Sequence, residues 1–190
     1  EGYAISSYYF EDWPPAFHNP YKLWRVLNNL ALAHRQSAKI IHNLSSHYKV
    51  SIAKNSMYSY PGDDALLSRI SSKIMQYFQD DYFIRKVIKS CDFLGVNYYQ
   101  SNCLCGSRVH NADKKLSDLN WNMQPADIQF TLERLYERYQ KPIMITENGL
   151  ADADDKNRRW WITETIIAMQ KAIKNGVKLQ GYLHWSLIDN

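Results

Sequence analysis

The sequence predicts an α/β fold in which parallel strands alternate with helices. Four runs rich in apolar, aromatic or β-branched residues read as strands, at 49–54, 92–99, 141–146 and 179–187. Apolar residues recur at helical spacing in four other stretches, at 19–47, 64–90, 125–140 and 157–175. Near-continuous apolar strands separated by helices are typical of parallel sheets that are buried on both faces. The order therefore predicts four β/α units, in an open doubly wound sheet or in part of a closed barrel.

Local signals define several ends of these elements. Asn19 is a favoured N-cap and Pro20 suits the first helical position, so the first helix is predicted to begin there. Pro142 lacks an amide donor, which is tolerated at the entrance of a strand. The Asn-Gly pair at 175–176 is predicted to end the last helix. The stretch 101–122 is the one long irregular connection, and loops of that length are often functional.

The composition excludes several classes of protein. A chain of 190 residues with 45% hydrophobic and 22% charged residues is neither disordered nor collagen-like. No stretch approaches the roughly 18 consecutive apolar residues of a membrane span. The 23 Lys and Arg are spread among 19 Asp and Glu, as on solvated helix faces. The net charge of +4 therefore predicts neither a nucleic-acid nor a membrane partner.

The cysteines predict neither a disulfide framework nor a metal site. Cys91, Cys103 and Cys105 are too few for such a framework. Cys103 and Cys105 lie two residues apart, but no second pair completes the four ligands of a zinc site. His18 and His184 also lack the spacing of a metal-binding pair. We therefore expect reduced thiols, no metal or other cofactor, and a cytoplasmic location.

Unusual side chains follow the predicted strands, at the edge where α/β proteins gather their catalytic groups. Glu147 comes directly after the strand at 141–146 and is either a catalytic carboxylate or a loop residue that contacts the next helix. Tyr99 ends the strand at 92–99 and could donate a hydrogen bond to that carboxylate. The alternative for Tyr99 is an interior tyrosine whose hydroxyl bonds any convenient partner.

Two tryptophans give a second indication of function. Trp185 lies in the last predicted strand and Trp121 in the long connection. Indole faces match the C–H faces of pyranose rings, while neighbouring polar side chains bind sugar hydroxyls. A sugar ligand therefore suits these residues, although Trp185 could instead be a core aromatic residue and Trp121 an anchor of its loop.

Several segments resemble the signature segments of glycoside hydrolase family 1. They are KPIMITENGLADADD (141–155), GYLHWSLIDN (181–190), DFLGVNYYQ (92–100), WNMQP (121–125) and the long segment that runs from WPPAFHNP to AKIIH (13–42). The first two, in this order, are highly specific. The family includes β-glucosidases, β-galactosidases and 6-phospho-β-glycosidases, and WSLIDN is similar to the glucosidase and galactosidase type.

The resemblance implies a (β/α)₈ barrel and hydrolysis of β-glycosides with retention of configuration. By position, Glu147 matches the nucleophile that forms the covalent glycosyl-enzyme intermediate, and Tyr99 matches the tyrosine that hydrogen-bonds it. Trp185 matches the tryptophan under the reacting sugar, and Trp121 matches the wall of an outer subsite. The expected partner is therefore a β-linked sugar.

The sequence departs from the family at one essential point. The family's acid/base glutamate lies in an Asn-Glu-Pro motif shortly before the WPP segment, and the chain contains no such motif. Glu1 lies near that place but lacks both flanking residues. The matching segments correspond to strands five to eight only. We therefore expect residues 1–190 to be a single partial barrel domain, truncated at both ends and inactive alone.

A half barrel would have a consequence for association, and it leaves one alternative function open. It should leave strand edges and an apolar layer uncovered, which favours association with the missing N-terminal half or with a second copy. An alternative to the enzyme fragment stays open, because fold reuse does not establish function. The chain could be a non-catalytic carbohydrate-binding or interaction module derived from a glycosidase half barrel.

Overall fold

The computed structural model of the chain describes residues 1–111 and 114–186. The α-helices are α1 (Gly2–Tyr8), α2 (Pro20–Leu44), α3 (Leu66–Gln76), α4 (Tyr82–Val87), α5 (Ile128–Tyr139) and α6 (Arg158–Lys174). A π-helical turn (Tyr77–Asp81) joins α3 to α4, and 3₁₀ turns lie at Ile88–Ser90 and Pro125–Asp127. The strands are β1 (Ala53–Pro61), β2 (Leu94–Cys105), β3 (Arg108–Val109), β4 (Ile143–Asn148) and β5 (Leu179–His184).

The four longer strands form one parallel sheet in the order β1-β2-β4-β5. β3 folds back antiparallel on the end of β2. The alternation of parallel strands with helices confirms the α/β prediction and its four β/α units. In the part of the chain that the structure describes, β1 and β5 each pair with one neighbour in this sheet. Among the described helices, none combines the length and apolar character that crossing a membrane requires.

The main core lies between the sheet and helices α5 and α6. It is built from the buried faces of β2 and β4 and from apolar residues of the two helices, including Leu94, Val96, Ile143, Ile145, Leu132, Leu135, Trp161 and Ala168. A second, smaller core joins α1, α2 and α4 through Ala4, Leu27, Ala31, Phe83, Val87 and Cys91. Because helices cover one face of the sheet, the other face is left for polar and functional side chains.

Helix α2 begins where the sequence predicts. Asn19 has an extended backbone and its Oδ1 accepts a hydrogen bond from the Lys22 amide at 2.9 Å. Pro20 occupies the first turn, where its missing amide leaves no bond unmade. The cap therefore fixes the direction in which α2 leaves the preceding loop.

Two predicted strands differ from the observed ones. The first strand was predicted at 49–54, whereas β1 starts at Ala53 and continues to Pro61. The second continues past Tyr99 to Cys105, so the connection predicted as irregular over 101–122 begins as a strand. Pairing between the two strands explains both differences, since their register runs from Ala53 beside Gly95 to Pro61 beside Leu104. Backbone hydrogen bonding decides these ends, and the local β propensity does not.

The other strands lie close to their predicted positions. β4 starts at Ile143, directly after Pro142, and includes Glu147 and Asn148. The prediction for the last strand extended to Leu187, which lies outside the described residues. The final helix α6 ends at Lys174, followed by Asn175 and by Gly176 at a φ of 97°. This agrees with the Asn-Gly helix end that the sequence predicts.

The helix predicted at 64–90 is divided, and most of the apolar residues in its first half face outward. The exposed ones are Leu66, Leu67, Ile70, Ile74 and Phe78. The buried face of α3 is polar instead, and consists of Ser68, Ser72 and Gln76. Gln76 donates to the Met57 carbonyl and accepts from the Ser59 amide, both at 2.8 Å. These bonds hold the polar face of α3 against β1. The apolar face of α3 therefore points away from the sheet and, together with α1 and α2, lines a groove of about 770 Å³.

Asp92 ties the start of β2 to the segment before β1 and to α2. Its Oδ2 accepts from the Val50 amide at 2.7 Å and lies 2.8 Å from His42 Nε2. The bond from Val50 is the main cause that lowers the pKa of Asp92; burial opposes it and His42 adds to it. An ionised carboxylate with a lowered pKa stabilises the fold above the ordinary value of 3.8, and this stabilisation is lost as the pH falls through the folded-state value.

We predict that Asp92→Asn lowers the free energy of unfolding at pH 7 by about 1–3 kcal/mol, because a charged hydrogen-bond acceptor is lost. The difference from the wild type should shrink as the pH falls below 3.8 and through the lowered folded-state pKa of Asp92, where the wild-type carboxylate also loses its charge. Urea unfolding at pH 7 and at pH 3 measures both values. Asp64→Asn, at a fully exposed carboxylate, is the control and should change stability little. An Asp92→Asn effect of equal size at both pH values would contradict this account.

Candidate active site

The carboxyl ends of β2 and β4 bring Glu147 and Tyr99 into contact. Glu147 pairs in register with Asn97, two residues before Tyr99. The Tyr99 hydroxyl donates a hydrogen bond to Glu147 Oε2 at 2.7 Å. Both side chains are half-buried. The two residues that the sequence singles out at these strand ends therefore form one hydrogen-bonded pair.

The protonation state of Tyr99 is fixed by its surroundings. Burial, followed by the hydrogen bond to the Glu147 carboxylate, raises the pKa of Tyr99 well above its usual value of 10.0. The phenol therefore keeps its proton and acts as a donor at any pH near neutrality. A fixed donor on one carboxylate oxygen orients the group and leaves the lone pairs of the other oxygen for a ligand.

A register slip at the end of β4 decides which way Glu147 faces. Ile143 and Ile145 are buried against the helices, and strict alternation would send residue 147 to the same face. The pairing of β4 with both of its neighbours slips directly after Ile145. As a result Asn148 takes the helix side, and Glu147 lies on the face that carries Tyr99. Irregularities of this kind are common where a strand must re-aim a side chain next to a site.

Asn148 connects all of the strands around this site. Its Nδ2 donates to the Tyr98 carbonyl of β2 at 2.6 Å. Its Oδ1 accepts from Trp161 Nε1 of α6 and from the Tyr182 hydroxyl of β5, each at 3.1 Å. Its carbonyl accepts from the Trp185 amide at 2.8 Å. Asn148 is fully buried, so these bonds satisfy polar groups that water does not reach.

The sequence places Asn148 beside Glu147 but does not indicate a role for it. The signal that could have found it is a polar residue at the end of an apolar strand, followed by Gly149. A polar residue buried at such a position must find partners, and here it finds them on β2, β5 and α6. Asn148 is therefore a positioning residue, which acts through the strands that carry Glu147 and Tyr99.

The network continues without charge to His184. The Tyr182 hydroxyl lies 2.9 Å from His184 Nδ1. Burial raises the pKa of Tyr182 to about 12. Burial, with a smaller effect of the Arg158 charge, lowers the pKa of His184 below 6.5. Both side chains are therefore neutral near pH 7, so neither of them adds charge next to the Glu147 carboxylate.

An open pocket of about 460 Å³ lies next to this pair, and Tyr99 forms part of its lining. Trp121 and Trp185 line the same pocket. The Trp121 ring is tilted by 54° against that of Tyr99, with the centroids 5.7 Å apart. Trp185 is 46% exposed, so its indole is available to a ligand. Three of the four residues that the sequence selects for a sugar site therefore line this pocket, and the fourth, Glu147, is hydrogen-bonded to one of them.

Two aspartates at the pocket hold its loops in place. Asp118 accepts a hydrogen bond from the Ala153 amide at 2.6 Å. Asp152 accepts from the amides of Asn157 and Arg158 at the start of α6, at 2.6 and 3.1 Å. Burial acts to raise the pKa of Asp152, but these bonds outweigh it and lower the pKa. Among the described residues, no group of three or more His, Cys, Asp or Glu side chains converges to hold a metal ion.

The sequence itself shows the family to which the chain belongs. The sequence model of the family described as glycosyl hydrolase family 1 matches residues 75–190, which is more than half of the chain. The match includes Tyr99, Glu147 and Trp185. The chain belongs to glycosyl hydrolase family 1.

The curated proteins that the chain resembles are named for several different activities. It is 26% identical to β-glucosidase A of Thermotoga maritima, over 98% of this chain and 52% of that protein. It is 27% identical to the galactolipid galactosyltransferase SFR2 of Arabidopsis thaliana, over 87% of this chain and 27% of that protein. The chain thus spans about half the length of the first relative and a smaller share of the second.

A solved structure gives the same picture for the fold. The β-glycosidase from Pyrococcus horikoshii matches with a TM-score of 0.88 and 28% identity, over 100% of this chain and 50% of that chain. The prediction of a family 1 barrel fold, of which this chain forms about half, is therefore confirmed. The four parallel strands with their helices are the part of the family 1 barrel that carries Tyr99, Glu147 and Trp185.

Gly149 holds the Trp185 segment close to β4, and its replacement gives a structural test of the site. A Cβ added at Gly149 would lie 1.8 Å from the Trp185 carbonyl oxygen. We predict that Gly149→Ala lowers the free energy of unfolding by about 1–3 kcal/mol, the usual cost of overpacking. Because Trp185 must move, tryptophan emission in the folded state should also change.

Gly181→Ala, in the neighbouring strand, is the matched control. A Cβ at Gly181 would meet Met144 at the ordinary contact distance of 3.7 Å. Its effect on unfolding and on tryptophan emission should therefore be small. Equal effects of the two substitutions would contradict the close packing of Gly149 against Trp185.

Proposed function

We propose that the chain supplies the nucleophile side of a retaining β-glycosidase site, with Glu147 as the nucleophile and Tyr99 as its positioning partner. The observation that carries the proposal is the 2.7 Å hydrogen bond from Tyr99 to Glu147 beside an open, tryptophan-lined pocket. In this reaction the carboxylate attacks the anomeric carbon and forms a glycosyl-enzyme ester, which water then hydrolyses. The Tyr99 donor supports this role because it aims one oxygen and leaves the other for attack.

The tryptophans support a sugar substrate. Trp185 offers an exposed indole face next to the strand end that carries Glu147. Trp121 extends the aromatic lining on the Tyr99 side of the pocket. We propose that Trp185 stacks on the sugar whose bond is broken and that Trp121 borders the position of the leaving group. A β-glucoside or β-galactoside is the proposed substrate class, because relatives of the chain are named β-glucosidase and β-galactosidase.

Retaining chemistry also needs a second carboxyl group, about 5–5.5 Å from the nucleophile, that donates a proton to the leaving oxygen. Of the carboxylates that line the pocket in the described residues, Asp118 and Asp152 both accept hydrogen bonds from backbone amides. Glu1 lies 2.6 Å from the buried Lys54 ammonium. We therefore propose that the proton donor comes from the part of the barrel that supplies the other strands, and that this part pairs with β1 and β5.

The first test measures turnover. The chain alone should not hydrolyse an aryl β-glucoside, and activity should appear when it is mixed with a polypeptide that carries the first four strands of a family 1 barrel. Glu147→Gln should abolish that activity, because an amide cannot act as the nucleophile. Product analysis should show free sugar rather than transfer to a second sugar, which matters because one relative is named a galactosyltransferase.

Three results would contradict this proposal. Robust turnover by the chain alone, abolished by Glu147→Gln, would show that the site is complete. Loss of reconstituted turnover in Glu1→Gln would place the proton donor within this chain. Sugar binding by the isolated chain, with no activity in any mixture, would favour a binding module over an enzyme.

A second test isolates the role of Tyr99. In the reconstituted protein, an activated 2-deoxy-2-fluoro β-glucoside should form one covalent adduct on Glu147, detected by mass spectrometry. We predict that Tyr99→Phe slows this labelling by about 10–100-fold, since a hydrogen bond to a charged group contributes about 1.5–3 kcal/mol.

Tyr139→Phe is the matched control. Tyr139 also donates to a carboxylate, that of Asp81 at 2.5 Å, but this pair connects α5 to the π-helical turn. Its loss should leave the labelling rate nearly unchanged. Equal rates for Tyr99→Phe and the wild type would remove the proposed role of Tyr99.

A further inference from the structure

Two cysteine thiols meet over a glycine at the end of the sheet. Cys103 and Cys105 alternate with Leu104 along β2, so their side chains share one face of the strand. A Cβ placed on Gly62, which follows β1, would lie 2.5 Å from Cys103 Sγ and 2.7 Å from Cys105 Sγ. The separation of the two sulfurs therefore cannot exceed the sum of these two distances.

We propose that Cys103 and Cys105 form a two-sulfur site for a soft, thiophilic metal ion of the Cu(I) class. The site lies four to six residues beyond Tyr99 on β2, which is about 13–20 Å along the strand. It therefore does not depend on the glycosidase proposal. It also departs from the expectation that all three cysteines are ordinary thiols.

The dimensions favour a metal bridge over a disulfide. Residues two apart on a strand have Cβ atoms about 6.6 Å apart. A disulfide needs Cβ atoms about 3.5–4.5 Å apart, so it would require β2 to buckle. Two metal–thiolate bonds of about 2.3 Å span up to about 4.6 Å, which lies within the limit that Gly62 sets on the sulfurs. A regular strand thus places the two Cβ atoms too far apart for a disulfide, whereas the upper limit on the sulfur separation lets both thiolates reach one ion.

The surrounding backbone resists the distortion that a disulfide would need. Cys103 pairs with Tyr60 of β1, and its amide donates to Asn111 Oδ1 at 3.0 Å. Cys105 pairs with Arg108 of β3. The Gly62 amide donates to the Leu104 carbonyl at 2.7 Å, which holds the glycine against both thiols. The two ligands are thus positioned before any ion binds.

The number and type of ligands select the ion. Zinc in a structural site takes four ligands, and the described residues offer no group of three or more metal-binding side chains. Thiolates prefer soft ions, and Cu(I) is stable with two sulfur ligands. Cys103 is buried and Cys105 is half-buried, so an ion can enter from the Cys105 side. Binding forms two metal–sulfur bonds and releases the two thiol protons to solvent.

The test is an anaerobic titration of the full chain with Cu(I) against a competing chromophoric chelator. One equivalent should bind with the ultraviolet thiolate charge-transfer band, and X-ray absorption should show two sulfur neighbours. Cys103→Ser and Cys105→Ser should each weaken binding at least 100-fold. Gly62→Ala, which removes no thiol, should also weaken binding because its Cβ would occupy the space beside both sulfurs.

Cys91→Ala is the control, since Cys91 lies in the small helical core and burial raises the pKa of its thiol to about 11. It should bind Cu(I) as the wild type does, and thermal unfolding should show that each variant is folded. The proposal is overturned if folded Cys103→Ser or Gly62→Ala binds as tightly as the wild type. A Cys103–Cys105 disulfide that forms readily with oxidised glutathione, with no loss of stability, would also overturn it.

Discussion

The arrangement of the site depends on the buried side chain of Asn148. One amide group bonds to β2, β5 and α6 from its place at the end of β4, and the same residue's carbonyl receives the Trp185 amide. Each bond contributes only about 1 kcal/mol net, but a partner left unsatisfied in the core would cost about 1–3 kcal/mol. The carboxyl ends of three strands are therefore coupled, and residues carried by those ends cannot shift independently.

This coupling explains how β4 can present the Glu147 carboxylate on the open face of the sheet. A strict period of two would bury residue 147 among the helices, where an ionised group is costly. The slip after Ile145 lets Asn148 satisfy the buried side and frees Glu147 for the open side. The buried polar network and the half-buried carboxylate on the open face are thus two results of one irregularity. Preorganisation of this kind places Tyr99 and Glu147 in contact before any ligand arrives.

The sequence predicts the layers of the fold and selects candidate site residues that lie together, but it does not predict their geometry. Alternating apolar runs indicate the β/α units, and strand-end motifs indicate Glu147, Tyr99 and the tryptophans. Local propensity misplaced β1, because its pairing with β2 decides where it begins. It also gave no warning that α3 buries Gln76 and exposes Ile70, since hydrogen bonds to β1 outweigh the apolar pattern. The role of Asn148 depends on contacts distant in sequence, which no local pattern contains.

The most direct test of the role of Asn148 is the crystal structure of an Asn148→Ala variant. Removal of the side chain deletes the bonds to Tyr98, Trp161 and Tyr182 while leaving the strands in place. We expect an unchanged fold in which the distance from the Tyr99 hydroxyl to the Glu147 carboxylate exceeds about 3.2 Å, the limit of a good hydrogen bond. A Tyr99–Glu147 distance that stays at 2.7 Å would contradict the claim that Asn148 holds the site together.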